Sequence, residues 1–257
     1  ETWANTIKST LGSKGLLDRK IHIISANMHS VMNTLYAKKA IKQYCKDKSN
    51  LEIFEALSKK ENENLRQKVE DYALKHGMTF IKDSSGTNID VQVFDLSYTT
   101  NQKEAPVIIV MDYAFGEQAY ESMDELLKPF DNNEQVKQYL NIDSISIMGK
   151  AGILEGGKGD LMIPTAHFFE GTADNYPFQN QFKIDDFEGY DLKVFGGSMV
   201  TVLGTSLQNR DLLEFFHDST WNVIGLEMEG AHYQKAIQAA ARLRGNISSD
   251  VKVRYAY

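Results

Sequence analysis

"NVIGLEMEGAHYQKAIQAA", residues 222–240, changes periodicity within a few positions. Asn222–Leu226 is a short apolar run of strand type, whereas from Ala231 onward the apolar residues recur at helical spacing. Two acids, Glu227 and Glu229, flank Met228 at the handover, and Gly230 follows directly. A buried strand that passes into a helix through a tight turn is the building block of an α/β fold. It also poses a chemical question: why two carboxylates and a thioether stand where the strand ends.

The same alternation recurs outward from this stretch. "RKIHIISANMHSVMNTLYAKKAIKQY" reads as a strand at Ile21–Ile24, a turn near Ser25–His29 and then a helix. Residues 36–76 are rich in Lys and Glu, with apolar residues at Leu57, Leu65, Val69 and Leu74. That pattern predicts one or two surface helices ending at His76–Gly77, with the charge run as a solvated face. "NIDVQVFDL" alternates as a strand, and Val107–Val110 is a second, followed by Gly116 and a helical pattern. "SISIMGKAGILEGGKGDLMIP" predicts two strands around glycine-rich turns, and "KVFGGSMVTVLG", "NVIGLEM" and "DVKVRYAY" one each. Strands interleaved with helices throughout predict an α/β, three-layer sandwich with a central mixed β-sheet. With no repeat or linker, residues 1–257 read as a single domain, with 1–18 as an extension or short helix and 36–76 as a helical insert.

Composition narrows the function classes. The chain has 257 residues, 42% of them hydrophobic and 25% charged, as in ordinary globular proteins. A net charge of −7 argues against nucleic-acid and acidic-membrane partners, both of which reward a basic surface. The six histidines show no metal-ligand spacing, and the lone Cys45 has no partner for an internal disulfide. No stretch is long and apolar enough to cross a bilayer, and the first residues lack the order of a signal peptide. The expectation is a cytoplasmic enzyme or small-molecule binder. Strand ends meet Gly-rich turns at Met148–Gly152, Gly196–Ser198 and Glu227–Gly230, and ligands of open α/β sheets collect at such ends. The turn Gly149–Gly152 has the glycine spacing of neither a Walker A loop nor a dinucleotide fingerprint.

Taken in order, "KIHIISANMHSVMNTL", "VIIVMDYAFGEQA", "SISIMGKAGIL", "GGKGDLMIP", "GLEMEGAHYQKAI" and "VKVRYAY" resemble the nucleoside phosphorylase superfamily. The likeness is to its methylthioadenosine/S-adenosylhomocysteine nucleosidase branch in particular. It runs from about Lys20 to the last residue, apart from the helical insert and the stretch around 165–195. The resemblance implies that Met228 packs on a ribose and that Glu229 accepts hydrogen bonds from its hydroxyls. A carboxylate there suits glycosidic cleavage, because the sugar gains oxocarbenium character in the transition state. The competing reading is that both glutamates simply favour a helix N-terminus.

Phosphorylases of the superfamily place an arginine two residues before the glycine of the turn; here that position is Ile147. Loss of the bidentate donor argues for water as nucleophile. Gly149, Lys150 and Ala151 are then the anion or water site, with Lys150 either a point charge for a phosphate or a surface lysine. The nucleosidases follow the first strand with glutamates, whereas this chain has Asn27-Met28-His29-Ser30. His29 is therefore the candidate base, and packing beside the first helix is its alternative role. Ser206 and Leu207 fall where the family contacts the base. Phe168, with His167 and Phe169, offers an aromatic border for a purine, or belongs to the core. In the family, the strand matching Val251–Tyr257 carries an arginine and then an aspartate that serves the purine. Arg254 matches the first, and the sequence stops near where Ser-Asp would begin, so the polypeptide is expected to continue into a missing strand end and helix.

The function expected is hydrolysis of the N-glycosidic bond of a purine nucleoside or nucleotide, with release of the free base. The alternatives are a phosphorylase that uses Lys150 and a non-catalytic nucleoside-binding or assembly protein. The resemblance implies no metal and no cofactor, a small-molecule nucleoside or nucleotide as partner, and a homo-oligomer.

Overall fold

The computed structural model describes residues 1–131, 137–204, 209–218 and 220–257. The chain begins with α1 (Thr2–Ser13), β1 (Ile21–Ser25) and α2 (Met28–Ala40), followed by the helical pair α3 (Asn50–Ser58) and α4 (Glu63–Lys75). Next come β2 (Met78–Ile81), β3 (Val91–Asp95), the short α5 (Ser97–Thr100), β4 (Val107–Met111) and α6 (Gln118–Leu126). A ribbon of β5 (Phe130–Asp131) and β6 (Lys137–Gln138) precedes β7 (Ile142–Met148), β8 (Gly152–Ile153), β9 (Leu161–Phe169) and β10 (Asn175–Pro177). The last part holds β11 (Val194–Thr201), α7 (Arg210–His217), β12 (Val223–Glu227), α8 (Gly230–Gln238) and β13 (Lys252–Ala256).

The fold is α/β with mixed sheets. A six-stranded sheet has the order β13-β7-β1-β4-β3-β2, parallel from β13 to β4 and antiparallel at β3 and β2. A five-stranded sheet has the order β10-β9-β11-β12-β8, parallel through β9, β11 and β12 with antiparallel edges. The one central sheet expected from the sequence is thus two, joined at one point. There Met162 and Tyr257 exchange backbone hydrogen bonds of 2.9 and 3.0 Å.

Both faces of the six-stranded sheet are covered, which gives three layers. Val107, Ile109 and Met111 of β4 face a core with Ile7 and Leu11 of α1, Met123 and Leu126 of α6, and Tyr233 and Ile237 of α8. Val110 of the same strand faces Met32 and Tyr36 of α2, Leu57 of α3 and Val69 of α4 on the other side. Burial on both faces is why β4 reads as an unbroken apolar run. The charged insert follows the same logic. Ser49 and Glu52 form a reciprocal capping box at the start of α3, with hydrogen bonds of 2.7 and 3.2 Å. Ala73 takes the buried position on α4, while its neighbour Leu74 stays exposed. The first residues are a helix, α1, tied down by Trp3 Nε1 donating to the Ile89 carbonyl at 2.8 Å. Among the described residues no helix is long and apolar enough to cross a membrane.

Candidate active site at the strand ends

Strand register brings the site together. Ser25 at the end of β1 is paired with Met111 of β4 and with Ile147 of β7, so three parallel strands stop at one level. Beyond that level the chain leaves in loops, and exposed backbone groups converge there. The loop after β4 crosses the top as Tyr113, Ala114, Phe115 and Gly116; the end of β7 adds Met148, and the loop after it Gly149 and Lys150. From the second sheet, the junction of β12 and α8 brings in Glu229. A cavity of about 270 Å³ forms between them, with Ser25, Tyr113, Ile147, Glu229, Tyr233 and Tyr257 in its wall.

The two glutamates of the junction do different things. Glu227 is fully buried; one carboxylate oxygen accepts from Thr201 Oγ1, the other from the backbone N–H groups of Glu229, at 2.6 Å, and Gly230. Thr201 Oγ1 in turn accepts the N–H of Ala231 at 2.9 Å. Together they satisfy the first amides of α8, which no intrahelical carbonyl reaches. Burial pushes the Glu227 carboxyl up to about 7, against the three hydrogen bonds and in the same direction as the charge of Glu229. Glu229 is the residue that lines the cavity. Its Oε1 accepts the N–H of Gly116 at 3.2 Å, and Gly116 holds a φ of +54° that glycine adopts without strain. Burial pushes the Glu229 carboxyl up, and the Gly116 and Met228 amides pull it back. Among the described residues it has no ion pair, so its charge is balanced by backbone dipoles alone.

The rest of the wall is hydroxyl and aromatic. Ser25 Oγ lies 3.0 Å from the Tyr233 hydroxyl, and burial pushes that phenol up to about 12, so it stays neutral. Tyr257, the last residue of the sequence, reaches with its hydroxyl to within 3.4 Å of His167 Nε2. His167 is wholly buried, stacked on Phe178 with ring centroids 5.3 Å apart, and burial pushes its imidazole down to about 3. It is a neutral core group behind the cavity. No Cβ fits at Gly230, where it would come within 2.4 Å of the His167 ring.

Of the site residues expected from the sequence, Glu229, Gly149 and Lys150 line this cavity. Ala151 packs against the core next to it. Met228 does not face it: alternation sends it, with Leu226, to the opposite side, onto a cluster with Val200 and Phe216. Phe168 sits one residue beyond buried His167 on β9 and so faces the other way, stacking on Trp221 at 5.8 Å between centroids. His29 lies elsewhere too. Asn27 caps α2, accepting the His29 N–H at 3.0 Å, and the imidazole projects from the first turn into a different cavity. Ser206 and Leu207 lie outside the described residues. Ser25, Tyr113, Tyr233 and Tyr257 were not expected here. Tyr233 carries a usable signal, since four residues from Glu229 is one helical turn. Among the described residues, no group of three or more His, Cys, Asp or Glu side chains is placed to hold a metal ion.

Known proteins are similar in fold. A methylthioadenosine/S-adenosylhomocysteine nucleosidase from S. pneumoniae, solved with the transition-state inhibitor MT-ImmA, matches 92% of this chain and 83% of its own. The identity is 14% and the TM-score 0.50. A mutant of the corresponding Helicobacter pylori enzyme, with 5′-methylthioadenosine in its active site, covers 93% and 83% at 13% identity and a TM-score of 0.50. At such identities the likeness is one of architecture. No curated protein matches the sequence. One family model, described as a family of unknown function (DUF6909), matches residues 54–256.

Proposed function

We propose that this chain, which belongs to the family of unknown function DUF6909, cleaves the N-glycosidic bond of a purine nucleoside or nucleotide by hydrolysis. The observation that carries the reading is the Glu229 carboxylate, half-buried at converging strand ends and held by the Gly116 amide. As the glycosidic bond lengthens, positive charge spreads over the anomeric carbon and the ring oxygen. A carboxylate already fixed and shielded from water stabilises that charge more than it stabilises the neutral substrate. Its second oxygen is the acceptor for a ribose hydroxyl, which fixes the ring for attack.

Three features support water over phosphate as nucleophile. Ile147, buried and apolar, stands in the wall where a guanidinium would clamp phosphate. The linked Ser25 and Tyr233 hydroxyls offer a donor and an acceptor that position a water molecule. Glu229 shares that cavity, and burial raises its carboxylate's affinity for a proton. The water's oxygen bonds to the anomeric carbon as the carbon–nitrogen bond breaks, and the proton the water loses ends on the departing base.

A second reading, a nucleoside-binding protein without turnover, is favoured by the absence of an imidazole among the described residues that line the Glu229 cavity, since His29 lines another. Chromatography of adenosine, inosine, methylthioadenosine and AMP after incubation with the protein, with and without phosphate, separates the readings. Free base in phosphate-free buffer supports hydrolysis. Base only with phosphate moves the reading to phosphorolysis, and ligand retention with no base to a binding protein.

A further inference from the structure

A second cavity, of about 550 Å³, opens on the other side of the β1–α2 turn, between α2 and the α3–α4 insert. The Asn27 backbone, at its edge, also meets the Tyr113 hydroxyl of the Glu229 cavity, so the two share a wall. His29, Lys60 and Arg66 line this second cavity and, among the described residues, no acidic side chain does, although acids outnumber bases 35 to 28 in the whole chain. Arg66 is fixed in place. Its Nη1 donates to the Leu57 carbonyl at 3.2 Å and to the Lys59 carbonyl, and its Nη2 to the Lys60 carbonyl at 3.2 Å. It thereby ties down the end of α3 and holds a permanent charge beside the cavity. Among the described residues, the Lys60 ammonium and the His29 ring have no hydrogen bond or ion pair with another side chain.

The remaining wall is of a different kind. Phe54 is 38% exposed at the cavity, and Leu57 is buried beneath it. Convergent basic groups and an aromatic surface around a few hundred Å³ are the features of a small-molecule site. We propose that this cavity binds a phosphate monoester on an organic body. Lys60, His29 and the Arg66 charge hold the phosphate, and Phe54 covers the body. The phosphate belongs either to a ligand that also reaches the Glu229 cavity or to a separate small molecule. The assignment does not require that the Glu229 site be catalytic.

Calorimetric titration of the full chain tests it. The probe is the 5′-monophosphate of a carbon-linked adenosine analogue, whose glycosidic bond is carbon–carbon and resists hydrolysis, against the same nucleoside without phosphate. The phosphorylated form is expected to bind at least about tenfold more tightly, as a charge-assisted contact provides. Lys60→Glu should abolish the difference, while Lys59→Glu, the same charge change at the exposed neighbouring residue, should preserve it. Both lysines are on the surface, so neither variant disturbs the core. If Glu229→Gln also weakens the phosphorylated probe, one ligand spans both cavities; if it does not, the ligands are separate, and the proposal stands in each case. Failure of the phosphorylated probe to bind, equal affinity of the two forms, or equal loss in the two lysine variants would overturn it.

Discussion

The two cavities on either side of the β1–α2 turn are opposite in character. The Glu229 cavity is walled by strand ends and buried tyrosines, and among the described residues its only charged groups are one carboxylate and the exposed Lys150. Its neighbour is walled by helices of the insert and is basic, with its lysine and imidazole free of side-chain partners among the described residues. Strand ends are held by register to their neighbours on both sides, so a group placed there is fixed without any side-chain partner of its own. Helix faces in a surface insert lack that support. Arg66 has to bond three carbonyls to hold its position. The difference teaches where precision is available: the sheet carries the group that must be placed accurately, and the insert carries charge.

That contrast can be broken or sharpened by substitution. The largest effect belongs to Glu229→Gln, which keeps the shape and the Gly116 neighbourhood but removes the charge. Base release should fall by about 10² to 10³, the usual consequence of losing one preorganised electrostatic group. An unchanged rate would mean that the chemistry lies elsewhere. Glu227 should instead govern stability. Its carboxyl is moved from an ordinary 4.5 to about 7 by burial, so folding favours the neutral acid. The resulting stabilisation is complete below pH 4.5 and is lost as pH rises through about 7. It amounts to about 3 kcal/mol at 1.36 kcal/mol per unit. Denaturant titrations at pH 4.5 and 8 should show a steeper fall for the native chain than for Glu227→Gln, and parallel curves would contradict the assignment.

Gly230→Ala comes next. The added methyl meets the His167 ring, which is wholly buried and has little room to retreat, so the chain should lose about 1–3 kcal/mol and melt several degrees lower. The smallest effect is expected from His29→Gln. Because the imidazole is outside the Glu229 cavity, base release from a nucleoside without phosphate should change by less than about threefold, against the 10² to 10⁴ typical of a general base. A loss of the larger size would put the two cavities into one mechanism.

Much of this molecule was legible before its structure. Clean alternation and apolar runs marked β1, β3, β4, β7 and β12, and the covered faces of the sheet follow from the same runs. The charged stretch resolved into helices because its apolar residues recur at helical spacing. Legibility failed where long-range register decides. Nothing local says that Ser25 and Ile147 stop at one level, or that Gly116 reaches Glu229 across 113 positions. His29 shows the same limit from the other side: its place relative to the strand suggested the site, but Asn27 ends the strand turn as a cap and sends it onto the insert. Phe168 points away from the cavity because one step along a strand is a change of face, and Met228 because the turn after β12 leaves it on the side of Leu226. The second sheet escaped notice because each of its strands reads like a member of the first.

The central claim is that Glu229 holds the sugar of a nucleoside, and a double-mutant cycle tests it most directly. Affinities of the carbon-linked adenosine analogue and of its 2′,3′-dideoxy form would be measured on the native chain and on Glu229→Gln. The account predicts that removing the hydroxyls weakens binding to the native chain by about tenfold or more, the value of a hydrogen bond to a charged group, and hardly affects the variant. An equal loss in both proteins would contradict it, because the hydroxyls would then be recognised by something other than Glu229.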